Sequence, residues 1–190
     1  MKKTKLTPDY RNFAAPHPAV VAGTFVDGKP TYNTLGDFGI TCGYPLHVYI
    51  SSVKTHYTNI GIREHQTYSV NVPSPENIVK TDHVGRVSGH KVDKSEVFEY
   101  FTGELKTAPM IMEFPINFEC KVLQTLDVGR NEMFIAKVVA IYCGDDYMVG
   151  DSIDVQKVNP LTLFMDMYYR DIGKPIGKSY EVGKKYKPKL

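Results

Sequence analysis

At 190 residues, with 42% hydrophobic and 23% charged residues, the chain has room for one well-packed domain of ordinary globular composition. No apolar run approaches the ~20 residues that a membrane-spanning helix needs, and no apolar stretch follows the basic start of the chain as it would in a secretory signal. Three scattered cysteines exclude a disulfide framework, so we expect a reducing, cytoplasmic location.

The net charge of +2 hides a basic C-terminal tail. Residues 174–190 contain six lysines and one acidic residue, Glu181, so this segment carries +5 and the rest of the chain carries −3. Because the body of the protein is not basic, we predict no nucleic-acid partner and interpret the tail as a solvated arm or a contact with a partner subunit. We predict a single domain over residues 1–190, with a core at about 16–172 and the tail at 173–190.

Strand signals dominate the first half of the chain. The run at 19–26 is apolar and β-branched, and it ends in Asp27-Gly28, a dipeptide that accepts positive φ at both central positions of a type I′ hairpin. Pro73 closes a later strand. The predicted elements of this half are strands at 19–26, 31–35, 47–52 and 67–72, and a helix at 55–64.

In the second half, Ser74-Pro75-Glu76 is typical of a helix start, and the spacing of Asp93 and Glu96 predicts a second short helix. The segment 133–141 is apolar nearly throughout, which predicts a strand buried on both faces. The predicted strands of this half are 117–126, 132–142 and 161–169.

Antiparallel hairpins with only a few short helices favour a mainly β fold over a doubly wound sheet. A barrel is the preferred arrangement because it removes exposed sheet edges. The chain has no Gly-x-Gly-x-x-Gly motif for a dinucleotide site, and its six histidines show no helical i, i+4 pair, so we predict no metal site. The segment 173–179 has three residues between its glycines where a P-loop needs four.

The most informative segment is 50–60, where a predicted strand runs into a predicted helix. It contains the hydroxyls of Ser51, Ser52, Thr55 and Thr58 and the positive charge of Lys54. The free N–H groups of a helix's first turn suit a phosphate, and these side chains add further donors. The alternative is an ordinary capped helix start with a solvated lysine.

Six short motifs occur in the order of a known family. They are 18–24 (PAVVAGT), 33–36 (NTLG), 54–60 (KTHYTNI), 68–73 (YSVNVP), 85–94 (GRVSGHKVDK) and 118–122 (FECKV). Together they resemble the flavin reductase-like, FMN-binding split β-barrel family, which includes the flavoredoxins. The resemblance covers about residues 16–180 and implies an antiparallel, Greek-key-like split barrel that binds FMN without a covalent bond.

The resemblance also implies which residues contact the flavin. The backbone of Asn33, Thr34, Leu35 and Gly36 would run along the isoalloxazine ring, or these residues form a plain barrel strand. The phosphate would lie against Ser51, Ser52, Val53, Lys54, Thr55 and Thr58.

Two further positions are implied by the same likeness, each with an alternative. Asn71 would close the flavin pocket, or its side chain caps the turn at Ser74. Lys94 would place a cation near N1 and O2 of the ring and raise the reduction potential, or it is solvated beside a capping Asp93. Where many relatives place aromatic bulk near the flavin, this sequence has Gly36-Asp37-Phe38-Gly39, and the chain contains no tryptophan. His90 stands where relatives often have arginine.

The function implied is an oxidoreductase that moves two electrons through FMN, with NADH, NADPH or a protein as donor. The alternative is a non-enzymatic FMN-containing electron carrier. The resemblance further implies a homodimer with the flavin beside the subunit interface, and the apolar, aromatic segment 163–169 suits either such a contact or a core strand. No catalytic residue is assigned, because transfer at the flavin requires no protein acid or base.

Overall fold

The computed structural model describes residues 1–186 and is built mainly from antiparallel β-strands. The α-helices are α1 (Thr58–His65), α2 (Ile78–Arg86) and α3 (Val155–Val158). The strands are β1 (His17–Pro18), β2 (Val20–Val26), β3 (Lys29–Leu35), β4 (Phe38–Gly43), β5 (Leu46–Val53), β6 (Thr67–Val72), β7 (Tyr100–Phe101), β8 (Met110–Ile111), β9 (Ile116–Val128), β10 (Asn131–Cys143), β11 (Met148–Val149), β12 (Ser152–Ile153), β13 (Thr162–Leu163) and β14 (Tyr169–Arg170).

Seven strands form the main sheet, in the order β3-β2-β6-β9-β10-β5-β4. All neighbouring pairs are antiparallel. Within residues 1–186 no ladder joins the edge strands β3 and β4, so the barrel is split rather than closed. The predicted mainly β, antiparallel split-barrel class is therefore confirmed. No helix of the described chain is both long and apolar enough to cross a membrane.

The sheet buries apolar side chains on both faces of β2. Val20 and Ala22 point into the main core with Ile50, Tyr68 and Phe134. The intervening side chain of Val21 points the other way, where α2 covers the sheet and a second apolar cluster forms around Tyr32, Val84, Phe98 and Phe114. This packing fixes α2 against the outer face of β3, beside the open edge of the sheet.

The two main hairpin turns follow from their glycines. Asp27 and Gly28 have φ values of 51° and 74°, which confirms the predicted type I′ turn between β2 and β3. Gly129 has a φ of 60° at the first position of the two-residue turn between β9 and β10.

Several predicted elements were wrong. The strand β4 was missed, and the predicted helix at Asp93–Glu96 is a turn, in which the Asp93 carboxylate accepts the Ser95 N–H at 2.9 Å and pairs with Lys29 at 2.7 Å. β10 is not buried on both faces: Phe134 and Ala136 are buried, but Ile141 is 47% exposed, because the chain packs against only one face of this end of the strand, where Tyr142 contacts Phe101. The segment predicted as one strand at 161–169 instead holds β13, a turn and only the first residue of β14.

Candidate functional site

Two adjoining clefts open beside the unpaired edge of β3. The smaller, of about 200 Å³, is lined by Asn33 of β3, by residues 56–58 at the start of α1, by residues 85–89 at the end of α2, and by Lys94. The larger, of about 390 Å³, is lined by the β2–β3 hairpin, Tyr57 and residues 89–94. Together they reach the ~300–1,000 Å³ typical of small-molecule sites. The segments that the sequence analysis singled out separately therefore meet at one place.

Lys94 lies in the wall shared by the two clefts. Its ammonium donates to the carbonyl oxygens of Tyr32 at 2.9 Å and Val84 at 2.6 Å, and only 4% of the residue is exposed. An ammonium has three N–H donors, so one remains for a ligand. Burial lowers the pKa of Lys94 to about 8, so that it is charged at neutral pH.

The open edge of β3 presents only alternate backbone groups to this site. Because Lys94 bonds to the Tyr32 carbonyl, the backbone polar groups of Tyr32 point away from β2. Those of Thr34, two residues further on, point the same way, whereas Asn33 and Leu35 face β2. Of the four residues predicted to follow the ring, Thr34 therefore has its backbone N–H on the open edge of the strand, although only Asn33 of the four lines a cleft. Its side chain instead donates to the Thr81 carbonyl of α2.

The cationic side chains of the smaller cleft are Arg86 and Lys94, and no carboxylate of the described chain lines it. Neither cation forms an ion pair within residues 1–186. The N–H of Thr58 adds a donor without an intrahelical partner at the start of α1. This combination suits an anionic ligand group.

Lys54, the cation of the predicted phosphate segment, is engaged elsewhere. Its ammonium lies 2.7 Å from both carboxylate oxygens of Asp127, beside the turn between β9 and β10. A second ion pair, between Arg63 of α1 and Glu132 of β10, lies beside it, and Arg63 also donates to the Lys54 carbonyl at 2.9 Å. Lys54 does not line either cleft. Its contact with a phosphate stays a prediction, and that contact would require the Asp127 pair to open.

The remaining predicted residues fall into two groups. Thr58 lines the smaller cleft, the Thr55 carbonyl accepts from His90 beside the larger cleft at 3.2 Å, and Ser52 lies behind the wall against His56 at 3.0 Å. Others line neither cleft and have contacts of their own. These are Leu35 in the main core, Gly36 beneath His17, Ser51 bonded to Asn131, and Val53, whose carbonyl accepts from Asn59.

Asn71 is fully buried and makes four hydrogen bonds within the barrel. Its amide donates to the Val21 carbonyl and the Ser69 hydroxyl, and its carbonyl accepts from the Ile111 N–H and the Asn117 amide, all at 2.9–3.0 Å. These bonds tie β2, β6, β8 and β9 together. The alternative role at Ser74 is not seen, because the Ser74 N–H donates to Asn77. The contact of Asn71 with a flavin stays a prediction.

Sequence reasoning did not assign His56, Tyr57, Arg86 or Gly89 to the site, although all four lie within quoted motifs. Gly89 lets the loop approach the Tyr57 ring so closely that a Cβ would lie 2.5 Å from it. Tyr57 also contacts His90, with ring centroids 5.0 Å apart. The sequence signal for these residues is that Gly85-Arg86 and Ser88-Gly89 stand in the same motif as Lys94. Only the folded chain shows that they form one wall of the cleft.

Comparisons with known proteins show which family and fold this chain shares. The sequence model described as "Flavin reductase like domain" matches residues 11–170. The flavoredoxin of Methanosarcina acetivorans is 38% identical, with a TM-score of 0.92 over 97% of this chain and 98% of that one. The flavoredoxin of Desulfovibrio vulgaris (Miyazaki F) is 26% identical, with a TM-score of 0.85 over 95% and 100%.

Among curated proteins, an uncharacterized protein of Archaeoglobus fulgidus is 29% identical over 98 residues. That match includes 50% of this chain and 55% of the relative, so it spans about half the length of each.

Proposed function

This chain belongs to the flavin reductase-like family, and on that premise we propose that it is an FMN-binding oxidoreductase of flavin reductase or flavoredoxin type. It binds FMN non-covalently and moves two electrons between a donor, which is NADH, NADPH or a reduced protein, and an acceptor. One observation carries the proposal: the smaller cleft combines Arg86, Lys94 and the start of α1 and contains no carboxylate of the described residues.

The phosphate of FMN fits these surroundings. A phosphate monoester carries about −1.5 to −2 charges at neutral pH and has three strong acceptor oxygens. Arg86 offers a planar donor fork and Thr58 offers its backbone N–H, while Lys94 keeps its third N–H for the ring and attracts the phosphate only through its charge. The cleft is too small for a whole flavin, so the ring extends along the open edge of β3.

With the isoalloxazine ring along the open edge of β3, Thr34 and Lys94 become its proposed contacts. When bound, FMN supplies two-electron redox chemistry at its isoalloxazine ring, and the protein supplies placement and electrostatic tuning. The Thr34 N–H donates to a ring acceptor, and the buried ammonium of Lys94 favours negative charge on the ring. A fixed cation at this place raises the midpoint potential.

The first test is spectroscopic. Freshly purified protein, or protein mixed with FMN and freed of excess ligand, should show flavin absorption at about 375 and 450 nm. Equilibrium titration should give FMN a lower Kd than riboflavin, because riboflavin lacks the phosphate that the cationic cleft recognises. Protein that takes up no FMN, or that binds riboflavin equally well, contradicts the proposal.

The second candidate function is an electron carrier without turnover of its own, which the 38% identity to a flavoredoxin favours. Steady-state oxidation of NADH or NADPH in the presence of added free FMN separates the two functions. Continuous turnover supports the reductase. Slow reduction of the bound flavin by the nicotinamide, together with rapid exchange of electrons with a redox protein, supports the carrier.

We further propose a cytoplasmic homodimer. All three cysteines are free thiols, which agrees with a reducing compartment. In the segment 163–169, Met167 and Tyr168 are 71% and 68% exposed and are available for a subunit contact. Light scattering on the purified protein should give twice the 21.4 kDa of the chain. A mass of one chain contradicts the dimer and leaves the flavin proposal intact.

A further inference from the structure

His56 is a titratable side chain in the wall of the smaller cleft to which the proposed function gives no role. It lies in the turn between β5 and α1. Its Nδ1 is 3.0 Å from the Asn33 amide nitrogen and 3.0 Å from the Ser52 hydroxyl. These contacts hold the Nδ1 edge of the ring against the barrel, and because His56 lines the cleft, the opposite edge with Nε2 is the part of the ring left to face it.

The hydrogen bonds behind His56 fix the ring firmly. The Ser52 hydroxyl donates to the Asn59 carbonyl oxygen at 2.7 Å, and Ser52 and Asn59 are both fully buried. The Asn59 amide in turn donates to the Val53 carbonyl at 3.1 Å and to Glu132 at 3.2 Å. Because Asn59 is oriented by these two acceptors, the single hydroxyl proton of Ser52 points at Asn59.

This network can satisfy Nδ1 in both protonation states of the imidazole. In the neutral ring, Nδ1 accepts from the Asn33 amide, and the ring proton is on Nε2. In the charged ring, the Nδ1–H can donate to the Ser52 oxygen, whose lone pairs are free because its proton goes to Asn59. The Asn33 amide N–H then faces a second donor, so the Asn33 side chain must turn away from Nδ1, while the buried backbone stays in place.

The charges around His56 are mostly positive. Lys94 and Arg86 line the same cleft, Arg130 approaches from the β9–β10 turn, and Glu132 reaches the network only through Asn59. Burial first, and then the charges of Lys94 and Arg130, hold the pKa of His56 below its ordinary value of 6.5. In the protein without ligand the ring is therefore neutral at pH 7. A dianion in the cleft would reverse this balance.

We propose that His56 takes up one proton when a phosphate monoester binds in the smaller cleft, so that the imidazolium donates from Nε2 to the phosphate and from Nδ1 to Ser52. The proton comes from solvent and forms the Nδ1–H bond, and no other covalent bond of the protein changes. The inference rests on the proposed function, since FMN is the phosphate ester concerned. Proton uptake by His56 would make FMN affinity depend on pH, although His56 does not contact the redox-active ring.

The direction in which FMN affinity changes with pH follows from the coupling between proton binding and ligand binding. A ligand that raises the pKa of a group binds more tightly as the pH falls from the pKa in the complex towards the lower pKa in the free protein. The phosphate has its own pKa near 6, and its protonation below that value weakens its charge. A comparison between two proteins that bind the same ligand removes this second effect, because it is common to both.

The experiment measures the Kd of FMN for the wild-type protein and for His56→Gln from pH 8 to pH 6. Glutamine keeps a donor but does not titrate in this range. We expect the ratio of the variant's Kd to the wild-type Kd to rise about five- to tenfold, since each unit of pKa shift corresponds to tenfold in affinity. The control is His83→Gln, which removes an exposed histidine of α2 and should show no such change.

Two further measurements, riboflavin titrations and NMR of the His56 ring, show whether the proton is bound at His56 in response to the phosphate. With riboflavin, the ratio between the two proteins should stay constant across the same pH range. Independently, the His56 ring resonances of the wild-type protein should show a higher pKa in inorganic phosphate than in chloride at equal ionic strength. A flat ratio with FMN, an equal rise with riboflavin, or a His56 pKa unchanged by phosphate overturns the inference. If FMN does not bind at any pH, the proposed function fails instead.

Discussion

Two lysines occupy regions of the molecule that look equivalent in sequence and differ in structure. Lys54 follows β5 within a hydroxyl-rich segment, and Lys94 follows α2 within a glycine-containing one. Lys54 is paired with Asp127 on the surface, where 36% of its side chain and 73% of its partner's are exposed. Lys94 is buried, bonded to two carbonyls and without an ion pair in the described chain.

The difference shows which positive charge is available to a ligand. An exposed pair such as Lys54–Asp127 is already neutralised and screened by solvent, so it adds little to a neighbouring anion's binding. A buried ammonium held by neutral carbonyls keeps its full charge in a region of low dielectric. We therefore assign the dominant electrostatic contribution to flavin binding to Lys94.

The largest expected effect comes from Lys94→Met. Removing the ammonium should weaken FMN binding about 10- to 100-fold, because a hydrogen bond to a charged group contributes about 1.5–3 kcal/mol. The midpoint potential of the residual bound flavin should fall, since the ring loses the cation that favours its reduced form. Titration calorimetry and a redox titration check these results. An unchanged potential would remove Lys94 from the vicinity of the ring.

The pH dependence of FMN affinity above neutrality tests the charge of the same residue. Burial lowers the pKa of Lys94 from 10.5 to about 8, and bound FMN raises it again through its negative charge. Affinity should therefore be complete below pH 8 and fall as the pH rises through that value, by up to about tenfold per pH unit. The Kd of wild-type protein should increase between pH 8 and 9.5, while that of Lys94→Met stays level. Parallel curves would contradict the assignment.

A smaller effect is expected from filling the space between Gly89 and the Tyr57 ring. In Gly89→Ala the new Cβ would lie 2.5 Å from the Tyr57 ring, so the ring or the loop must move within the shared wall of the clefts. We expect FMN affinity to fall about tenfold, with a stability loss of about 1–3 kcal/mol from overpacking. Gly43→Ala, which adds a Cβ with no atom within 4 Å, is the matched control. Equal behaviour of the two variants would show that this wall does not shape the site.

The smallest effects separate two exposed cations. Arg86→Gln should weaken FMN binding about fivefold and leave riboflavin binding unchanged, because Arg86 lines the cleft and forms no ion pair with residues 1–186. Lys54→Gln should change FMN affinity less than twofold and stability by less than about 1 kcal/mol. The two variants are compared by fluorescence titration at low salt. A larger loss for Lys54→Gln would return the phosphate to the segment that the sequence pattern first indicated.

The fold was largely predictable because its determinants are local. Asp27-Gly28 specifies a tight turn, and the apolar runs on either side of it specify the strands that it joins. Errors arose where tertiary contacts decide the outcome. The Asp93 carboxylate resembles a helix cap in sequence, but a pair with Lys29, 64 positions away, holds it in a turn. Burial of β10 depends on what covers the ribbon, which periodicity does not reveal.

The site was predictable to the level of segments but not of side chains. Asn33, Thr58 and Lys94 do meet in one cleft. The partner of Lys54 is an aspartate 73 positions away, and the four hydrogen bonds of Asn71 join strands that only the folded barrel brings together. No local pattern announces such contacts, since they depend on sheet order. Arg86 and His56 became candidates only once the two loops were seen to face each other.

A crystal structure of the FMN complex tests the central claim most directly. The account predicts the phosphate in the smaller cleft, within hydrogen-bonding distance of the Arg86 guanidinium and the Thr58 N–H, with the Lys54–Asp127 pair still closed. A phosphate bound to Lys54, with Asp127 displaced, or one bound in the larger cleft beside the β2–β3 hairpin, would contradict it.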